Sequence, residues 1–505
     1  MNNKTRLRYY LLILCFPLFI VLHGLNELPG LIAIPSAGVL AVRYALIALA
    51  IGIFSALILR DFPRSLTYAC FLLTGFFFFG VIKDFTRRYD WLDALTPYRF
   101  MLPGILALSV LVAFFLKKLS RPPARFARLL SALLVVFIVL ESVAFVYRYL
   151  IVGAPDHQLA ARDKETIKNI HIPSGSEKPF VFWIISDEYS ASSVMKERWG
   201  YDNPLDSQLR SKGFFVADSA MSAYNNTLYS VSSILYMRYL DSIRNHTVVD
   251  YADAVLRRRQ LKDNPVVEAF KRNGYAIENH AIYDLKDHPT VAVKEFYSES
   301  TRLINDQTLF ERTRRDIGWG LKHIFSRNKA YYDSVDNAQS LIKLIDSRNR
   351  ILQESLSAAE RRRNDAQPAF FMYHLMYTHA PFLFKADGSF DFSTDWENGE
   401  SKYIPNINYS NRILNNLIDS IMRMYEGRNY VIILQGDHGF KFSESDPFFE
   451  QASCKILYSV YCSDKDYALW NHSLNAVNSF RILFNKYFDA RLPLLPGIAS
   501  NIFPR

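Results

Sequence analysis

Cysteine is scarce in this sequence, with four residues in 505. Cys15 and Cys70 lie in apolar segments, whereas Cys454 and Cys462 are close enough in sequence to pair across adjacent strands in an oxidising compartment. Two reduced cysteines at these last positions are the favoured interpretation. So few cysteines exclude a small fold that is held together by disulfides.

Excess charge is also missing from most of the chain. Of the 59 Lys and Arg and the 49 Asp and Glu, 16 and 6 respectively lie before residue 156. The rest of the chain is therefore neutral, and the net charge of +10 belongs to the N-terminal part. A protein that binds nucleic acid would carry positive charge on its folded domain as well, so no nucleic-acid partner is expected.

What the N-terminal part does contain is a series of five long apolar runs. They lie at about residues 9–25, 38–59, 65–82, 99–116 and 128–152. Each approaches or exceeds the roughly 17–25 residues that a helix needs to cross a membrane. Arg6 and Arg8 before the first run are also typical of a signal peptide, but no small-residue cleavage site is obvious and four more runs follow. Residues 1–155 are therefore predicted to form a transmembrane helical bundle of about five spans.

Basic residues in the loops between these runs predict the orientation. Ten of them lie on one side of the predicted membrane and five on the other. The richer side is expected to be cytoplasmic, so the C-terminal part lies outside after five crossings. The protein is thus predicted to be a multi-pass protein of the cell (inner) membrane with a periplasmic or extracellular domain. The loop 83–99 is basic for an outside loop, and it is interpreted as facing lipid headgroups, facing the outer domain or forming a solvated turn. Glu141 and Arg148 lie in or near the last run, and Glu141 is either functional, paired within the bundle or snorkelling towards the membrane surface.

The remainder of the chain has the pattern of an α/β domain. Residues 156–177 are polar and predict a linker. Short apolar runs at 180–185, 370–373 and 430–434 are typical of strands buried on both faces. Helix-like stretches lie between them, at residues 204–212, 264–273, 338–359 and 409–425. This alternation predicts a largely parallel central sheet within residues 178–505.

Polar residues follow each of these three runs, at the sheet edge where ligand sites form in such domains. The sequences that follow are Ser186-Asp187-Glu188, Thr378-His379-Ala380-Pro381 (reached through His374) and Gly436-Asp437-His438-Gly439. Carboxylates and imidazoles at one edge suit a divalent cation of the zinc or manganese type. An Asp after a strand is more often a turn or a helix cap, so the hypothesis depends on the order and placement of all three sequences together.

In this order the sequence resembles the alkaline-phosphatase/sulfatase superfamily. Over about residues 178–490 it has a strand followed by Asp-Glu, a Thr-rich segment about forty residues later, His-x-Pro, and a strand followed by Gly-Asp-His-Gly. The layout is similar to that of lipoteichoic-acid synthases and of the phosphoethanolamine transferases of Gram-negative envelopes, which also have about five N-terminal spans. The resemblance implies an extracytoplasmic alkaline-phosphatase-like catalytic domain behind the membrane bundle.

The resemblance also implies roles for individual residues. Asp187 matches the first metal ligand, with Glu188 as its substitute or as a second ligand. Asp437 and His438 match the paired ligands that follow the late strand. His379 is similar to the histidine that contacts the phosphoryl group or the leaving oxygen. The implied cofactor is a divalent metal, most simply zinc or manganese.

The nucleophile is expected in the segment 225–233. Thr227, Ser230 and Val231 match the spacing of the attacking Thr and the Ser-Val pair in phosphoethanolamine transferases. Metal coordination lowers the pKa of a hydroxyl and makes covalent catalysis possible, so Thr227 is predicted to be both nucleophile and metal ligand. In the alternative interpretations, Thr227 only caps the helix that follows it, or Ser230 is the nucleophile.

Two departures from the superfamily limit what the resemblance implies. The sequence Cys/Ser-x-Pro/Ala-x-Arg, which sulfatases need for formylglycine, does not occur near Thr227. Its absence counts against hydrolysis of sulfate esters. The disulfide-rich pattern of the colistin-resistance phosphoethanolamine transferases is absent too, so their particular substrate is not implied.

The function predicted from the sequence is the metal-dependent transfer of a phosphoethanolamine- or phosphoglycerol-type group. The donor would be a membrane phospholipid, the acceptor an envelope glycan or lipid, and the intermediate a covalent adduct of Thr227. One alternative is a sulfatase-like hydrolase of phosphate or sulfate esters. Another is a non-catalytic envelope binding protein. A transporter is disfavoured, because the spans contain few charges and no paired repeat.

Overall fold

The computed structural model divides the chain into two compact units. The first comprises Met1–Asp156 and Ser298–Asn337, and the second comprises His157–Tyr297 and Ala338–Arg505. Besides the single residues 32, 165, 167 and 168, the structure describes residues 3–28, 34–86, 96–147, 170–173, 177–241, 243–249, 251–290, 301–314, 329–391 and 399–504. Most of the predicted linker at 156–177 and Arg148 lie outside these ranges.

The first unit consists of helices. Those before residue 150 are Asn3–Glu27, Ile34–Leu59, Phe62–Phe77, Phe79–Thr86, Tyr98–Lys118 and Ala124–Val146. Within the ranges that the structure describes, four helices are long and apolar enough to cross a membrane, and there are five if Phe62–Phe77 and Phe79–Thr86, which meet at a bend of 66°, form one span. Large apolar side chains such as Leu57 and Leu106 are 70% and 66% exposed, as expected where a helix faces lipid. The predicted helical membrane bundle is thereby confirmed.

The polar residue of the last predicted span is paired inside this bundle. The carboxylate of Glu141 accepts a hydrogen bond from Nδ2 of Asn26 at 2.6 Å and lies 2.8 Å from Nδ1 of His23. Asn26 also donates to the backbone oxygen of Glu141 at 2.9 Å. The helices Asn3–Glu27 and Ala124–Val146 are therefore joined by a polar contact in surroundings where an unpaired carboxylate would be unfavourable.

The first unit also contains a segment that is distant in sequence, residues 301–314. The backbone N–H of Gly80 donates to the oxygen of Gln307 at 2.8 Å. Tyr44 donates to the side chain of Asn305, and Asp84 forms an ion pair with Arg312. The short helix Arg302–Asn305 thus packs among the N-terminal helices, although its sequence lies in the range 178–505 that was predicted as the catalytic domain.

The second unit is organised around a mixed sheet. Its strands are β1 (Phe180–Ser186), β2 (Phe215–Val216), β3 (Val248–Val249), β4 (Ala276–His280), β5 (Ala369–Leu375), β6 (Tyr430–Gly436), β7 (Tyr458–Cys462) and β8 (Phe503–Pro504). Six of them form one sheet in the order β2-β7-β6-β1-β5-β4, and β3 pairs with β8. Strands β6, β1, β5 and β4 are parallel, whereas β7 and β2 run antiparallel to their neighbours. The predicted α/β fold with a largely parallel sheet is confirmed.

The three central strands are buried along their whole length because helices cover both faces of the sheet. Every residue of β1, β5 and β6 is buried. Neighbouring side chains enter opposite cores: Phe182 stacks on Phe371 with ring centres 4.4 Å apart, and Trp183 contacts Phe480 on the other face. Apart from Arg302–Asn305, the helices after β1 are Ser192–Trp199, Pro204–Ser211, Thr227–Leu235, Tyr251–Lys262, Pro265–Arg272, Lys329–Arg362, Gly399–Met424, Phe448–Ala452 and Ser479–Tyr487.

All four cysteines are free. Burial raises the pKa of both the Cys454 and the Cys462 thiol to about 12. Such thiols remain protonated and unreactive at neutral pH, so both residues act as small apolar side chains of the core.

Candidate active site

Two aspartates meet at the carboxyl edge of the sheet because of strand register. Ser186, the last residue of β1, is paired with Gly436, the last residue of β6. The residues that follow these strands, Asp187 and Asp437, are both completely buried. The chain thus brings together two carboxylates that are 250 positions apart in sequence.

A histidine of β5 completes a group of potential metal ligands. Ligand atoms of Asp187, His374 and Asp437 all lie within 4.8 Å of one another, and the three side chains are buried. Nε2 of His374 lies 2.8 Å from Oδ2 of Asp187. His374 has no ligand role among the residues predicted from the sequence. The sequence signal available was a histidine near the end of one apolar run, in a chain where another apolar run is followed directly by Asp.

Several polar atoms of this group have no hydrogen-bond partner among the described residues. They are Oδ1 of Asp187, Oδ2 of Asp437 and Nδ1 of His374. Burying a carboxylate oxygen without a hydrogen bond is unfavourable by several kcal/mol, and a bound cation would offset this cost. Two carboxylates and an imidazole suit zinc and related divalent ions, and the residues therefore fit a divalent metal.

Imidazoles surround the Asp187 carboxylate. Burial raises its pKa, but the neighbouring His379, His374 and His438 lower it, and the net direction is well below the ordinary value. Asp187 is consequently ionised at neutral pH, as a metal ligand must be.

The second aspartate is oriented by backbone groups. Oδ1 of Asp437 accepts a hydrogen bond from the N–H of Glu188 at 3.0 Å, which leaves Oδ2 for a ligand. The backbone oxygen of Asp437 accepts from the hydroxyl of Ser230 at 2.5 Å. Ser230, the reserve nucleophile of the sequence analysis, is therefore already hydrogen-bonded to the loop that carries Asp437.

Thr227 is the first residue of the helix Thr227–Leu235. Its N-cap is Asn226, whose side-chain oxygen accepts from the N–H of Leu228 at 3.1 Å. The hydroxyl oxygen of Thr227 lies 3.2 Å from Nε2 of His438. Because a neighbouring residue caps the helix, the Thr227 hydroxyl faces the site instead of the backbone.

His438 lies between the threonine and the aspartates. Its Nε2 is 3.6 Å from Oδ2 of Asp437 and 3.8 Å from Oδ1 of Asp187. Its Nδ1 is hydrogen-bonded to the backbone oxygen of Gly439 at 2.7 Å. A proton on Nδ1 leaves the lone pair of Nε2 pointing at the group, which is the tautomer that metal-binding histidines adopt.

His379 lies at the mouth of the same site. Its Nε2 is 3.9 Å from Oδ1 of Asp187, and its side chain is 21% exposed. Its backbone oxygen accepts a hydrogen bond from Arg348 at 2.9 Å. Arg348 is itself fully buried on the helix Lys329–Arg362, and burial lowers its pKa to about 10. A buried guanidinium thus supports the loop that carries His379.

Glu188 is adjacent to the group but turned towards the backbone. Its carboxylate accepts from the N–H of Lys441 at 3.0 Å and from the N–H of Ala380 at 3.4 Å. Its own φ is 61°, in the left-handed region that disfavours side chains other than glycine. Glu188, which the sequence offered as a ligand, does not belong to the converging group.

The two glycines around Asp437-His438 are needed for close packing. A Cβ on Gly436 would lie 2.5 Å from the backbone oxygen of Tyr189, and one on Gly439 would lie 2.6 Å from that of Ala452. These contacts involve backbone atoms that cannot move aside easily. The motif Gly436-Asp437-His438-Gly439 therefore combines two potential ligands with two glycines, at which the chain passes close to the backbone of other segments.

The comparison with protein families identifies this domain. The sequence model of the Sulfatase family matches residues 179–476, more than half of the chain. The chain therefore belongs to the sulfatase family, and it is an enzyme of the alkaline-phosphatase/sulfatase superfamily as the motif order predicted. No curated protein matches its sequence.

Several solved structures are similar at low sequence identity. The C-terminal periplasmic domain of EptC from Escherichia coli is 14% identical, with 66% of this chain and 92% of that chain covered and a TM-score of 0.39. The corresponding domain of phosphoethanolamine transferase EptC from Campylobacter jejuni is 11% identical, with coverages of 64% and 96% and a TM-score of 0.35. The integral membrane protein lipooligosaccharide phosphoethanolamine transferase A from Neisseria meningitidis is 11% identical, with coverages of 98% and 92% and a TM-score of 0.32.

Proposed function

We propose that this protein transfers a phosphoethanolamine- or phosphoglycerol-type group from a membrane phospholipid to an envelope glycan or lipid. The covalent intermediate would be an ester of Thr227. The observation that carries the proposal is the position of the Thr227 hydroxyl, 3.2 Å from His438, whose Nε2 also faces two buried aspartate oxygens that have no hydrogen bond. The helices long enough to span a membrane support a lipid as the donor.

Asp187, Asp437 and His438 would hold the metal, with the oxygen of Thr227 and with His374 as the further ligand that the geometry supports. Bound there, a divalent metal would lower the pKa of the Thr227 hydroxyl and neutralise charge on the phosphoryl oxygens. Zinc and manganese are the proposed ions, since carboxylates and imidazoles together suit both.

The residues of the chain account for the protons of both steps. In the first step neutral His379 takes the proton of the Thr227 hydroxyl, the oxygen of Thr227 forms a bond to phosphorus, and the bond from phosphorus to the lipid alcohol oxygen breaks. His379 gives this proton to the leaving oxygen. In the second step His379 takes the proton of the acceptor hydroxyl, whose oxygen attacks phosphorus, and returns it to the oxygen of Thr227 as that oxygen departs. His379 thus acts as base and then as acid in each step, and both residues end in their original states.

The alternative of hydrolysis differs only in the acceptor. Water in place of the envelope hydroxyl would release the bound group from Thr227 by the same two steps. Membership of the sulfatase family is compatible with hydrolysis. The missing formylglycine motif near Thr227 disfavours sulfate esters as substrates. The phospholipid transferase remains the preferred proposal because of the membrane helices.

Intact-mass measurement tests the proposal directly. The full-length protein in detergent is incubated with zinc or manganese and with phosphatidylethanolamine or phosphatidylglycerol. We expect a phosphoethanolamine or phosphoglycerol adduct on the wild type and on the control Thr247→Ala, but not on Thr227→Ala. Free phosphate from simple aryl esters without any lipid-derived adduct would favour the hydrolase. Neither product, with no metal bound, would exclude both enzymes and favour a non-catalytic binding protein.

A further inference from the structure

A lysine lies beside the histidine at the mouth of the site. Lys441 comes three residues after His438 in the loop that follows β6, and its side chain is exposed. Its ammonium nitrogen is 3.5 Å from Nε2 of His379. No step assigned so far uses this side chain.

The hydrogen bonding of His379 defines how the two groups meet. Nδ1 of His379 is hydrogen-bonded to the backbone oxygen of Ala380, so Nδ1 carries the proton of the neutral ring. Nε2 then has a lone pair that accepts from the Lys441 ammonium. Because Nε2 also faces Asp187 at 3.9 Å, the lysine approaches the group of ligands from its solvent side.

Glu188 fixes the backbone on both sides of this pair. One of its oxygens accepts from the N–H of Lys441 and the other from the N–H of Ala380, the residue after His379. The Glu188 backbone oxygen accepts from the hydroxyl of buried Tyr403 at 2.8 Å. A single carboxylate therefore holds the loops of Lys441 and His379 next to each other, which a chance encounter of two side chains near the surface would not require.

The net charge of the site explains why a further positively charged side chain would help to bind an anionic substrate. A divalent metal would be neutralised by Asp187 and Asp437, and buried Arg348 lies close enough to interact with Asp187 and Glu188. An anionic substrate would then meet a centre with little net attraction. The exposed ammonium of Lys441 is free to move by rotation of its side chain and adds positive charge where the substrate enters.

We propose that Lys441 is a substrate-binding residue that, together with His379, holds the anionic oxygens of a phosphodiester or phosphate group at the mouth of the site. In the substrate-free protein its ammonium is hydrogen-bonded to His379, and in the complex it turns to the phosphoryl oxygens. This inference rests on the proposed function and identifies the residue that would recognise the charged part of the substrate.

The test uses the full-length zinc-loaded protein in detergent. Two quantities are measured: the dissociation constant of inorganic phosphate by calorimetry, and kcat/KM for bis(4-nitrophenyl) phosphate. Lys441→Met should weaken phosphate binding about ten- to a hundredfold, because a charge-assisted hydrogen bond is lost, and should lower kcat/KM mainly through KM. Lys441→Arg should retain most of both. Lys465→Met, at the opposite edge of the sheet beyond β7, is the matched control and should behave as wild type.

Metal content is measured on every variant. The inference is overturned if Lys441→Met changes phosphate affinity by less than twofold at unchanged zinc content. It is overturned as well if Lys441→Met loses zinc, since the residue would then support the ligands instead of the substrate. If the wild type binds phosphate but turns over no diester and forms no adduct, the proposed function fails, yet the effect of Lys441→Met on phosphate binding still decides the role of Lys441.

Discussion

The hydroxyl oxygen of Thr227 lies 3.2 Å from Nε2 of His438, and both side chains are buried. The two residues come from different parts of the sheet edge: Thr227 begins a helix, and His438 follows β6. Nδ1 of His438 is bonded to the backbone of Gly439, so Nε2 presents a lone pair to the threonine. A metal bound by His438 would therefore lie next to the hydroxyl.

Replacing Thr227 tests the nucleophile. Thr227→Ala should lower kcat by about a thousandfold or more, because the attacking oxygen is removed, while Thr227→Ser keeps an oxygen and should retain measurable turnover. The measurement is product formation from a fluorescent phospholipid by the full-length protein. Ser230→Ala serves as comparison: if it abolishes adduct formation and Thr227→Ala does not, Ser230 is the nucleophile.

Removing the metal should lower stability. A metal present at a hundredfold excess over its Kd stabilises the native state by about 2.7 kcal/mol, so a chelator should reduce the Tm of the protein in detergent. In Asp437→Asn this difference should disappear, because a charged ligand is lost. The metal-free Tm of that variant should be no lower than that of the metal-free wild type, since the unpartnered oxygen Oδ2 is replaced by an uncharged amide. A full metal-dependent shift in Asp437→Asn would contradict the assigned ligand.

Glu188→Gln tests whether Glu188 binds the metal or only holds the backbone of the neighbouring loops. The carboxylate accepts from two N–H groups, and an amide has one oxygen to offer. We expect unchanged metal stoichiometry, measured by elemental analysis, together with a decrease in kcat/KM of about tenfold as the loops of His379 and Lys441 loosen. Loss of the metal in Glu188→Gln would restore the role that the sequence offered for this residue.

Asn226→Ala should destabilise the domain by removing a helix cap. The expected loss is about 1 kcal/mol, since an Asn at the N-cap is replaced by a residue that cannot accept from the second N–H of the helix. Asn226→Ser should retain most of the stability because serine caps almost as well. Thermal unfolding of both variants checks this, and equal Tm values for Asn226→Ala and wild type would show that Thr227 takes over as the cap.

The centre of the fold could be predicted because its sequence signals are strong. Strands β1, β5 and β6 are uninterrupted apolar runs, and each carries its polar residues immediately beyond its end. Short or partly exposed strands give no such signal: β2 has two residues, and β4 contains Glu278 and Asn279. Their positions depend on pairing with β7 and β5, which the sequence does not reveal.

The site was predictable where a motif marks it and not where tertiary packing forms it. Asp187, Asp437, His438 and Thr227 follow recognisable patterns and come together. The contribution of His374 depends on strand register, because pairing with Ile185 brings it beside the end of β1. Glu188 lies outside the converging group because its carboxylate accepts from two N–H groups, and its role as a ligand stays a prediction. No local pattern distinguishes these outcomes.

The segment 301–314 affects the solubility of a truncated protein that lacks the N-terminal helices. Ile304 packs in the space left by the missing side chain of Gly24, and Gln307 accepts from the N–H of Gly80. A chain that starts after residue 156 would keep this segment and lose all of these partners. Its apolar side chains would then face water, and the truncated protein would be prone to aggregate. A soluble enzyme is more reasonably obtained by also replacing residues 298–337 with a short flexible loop.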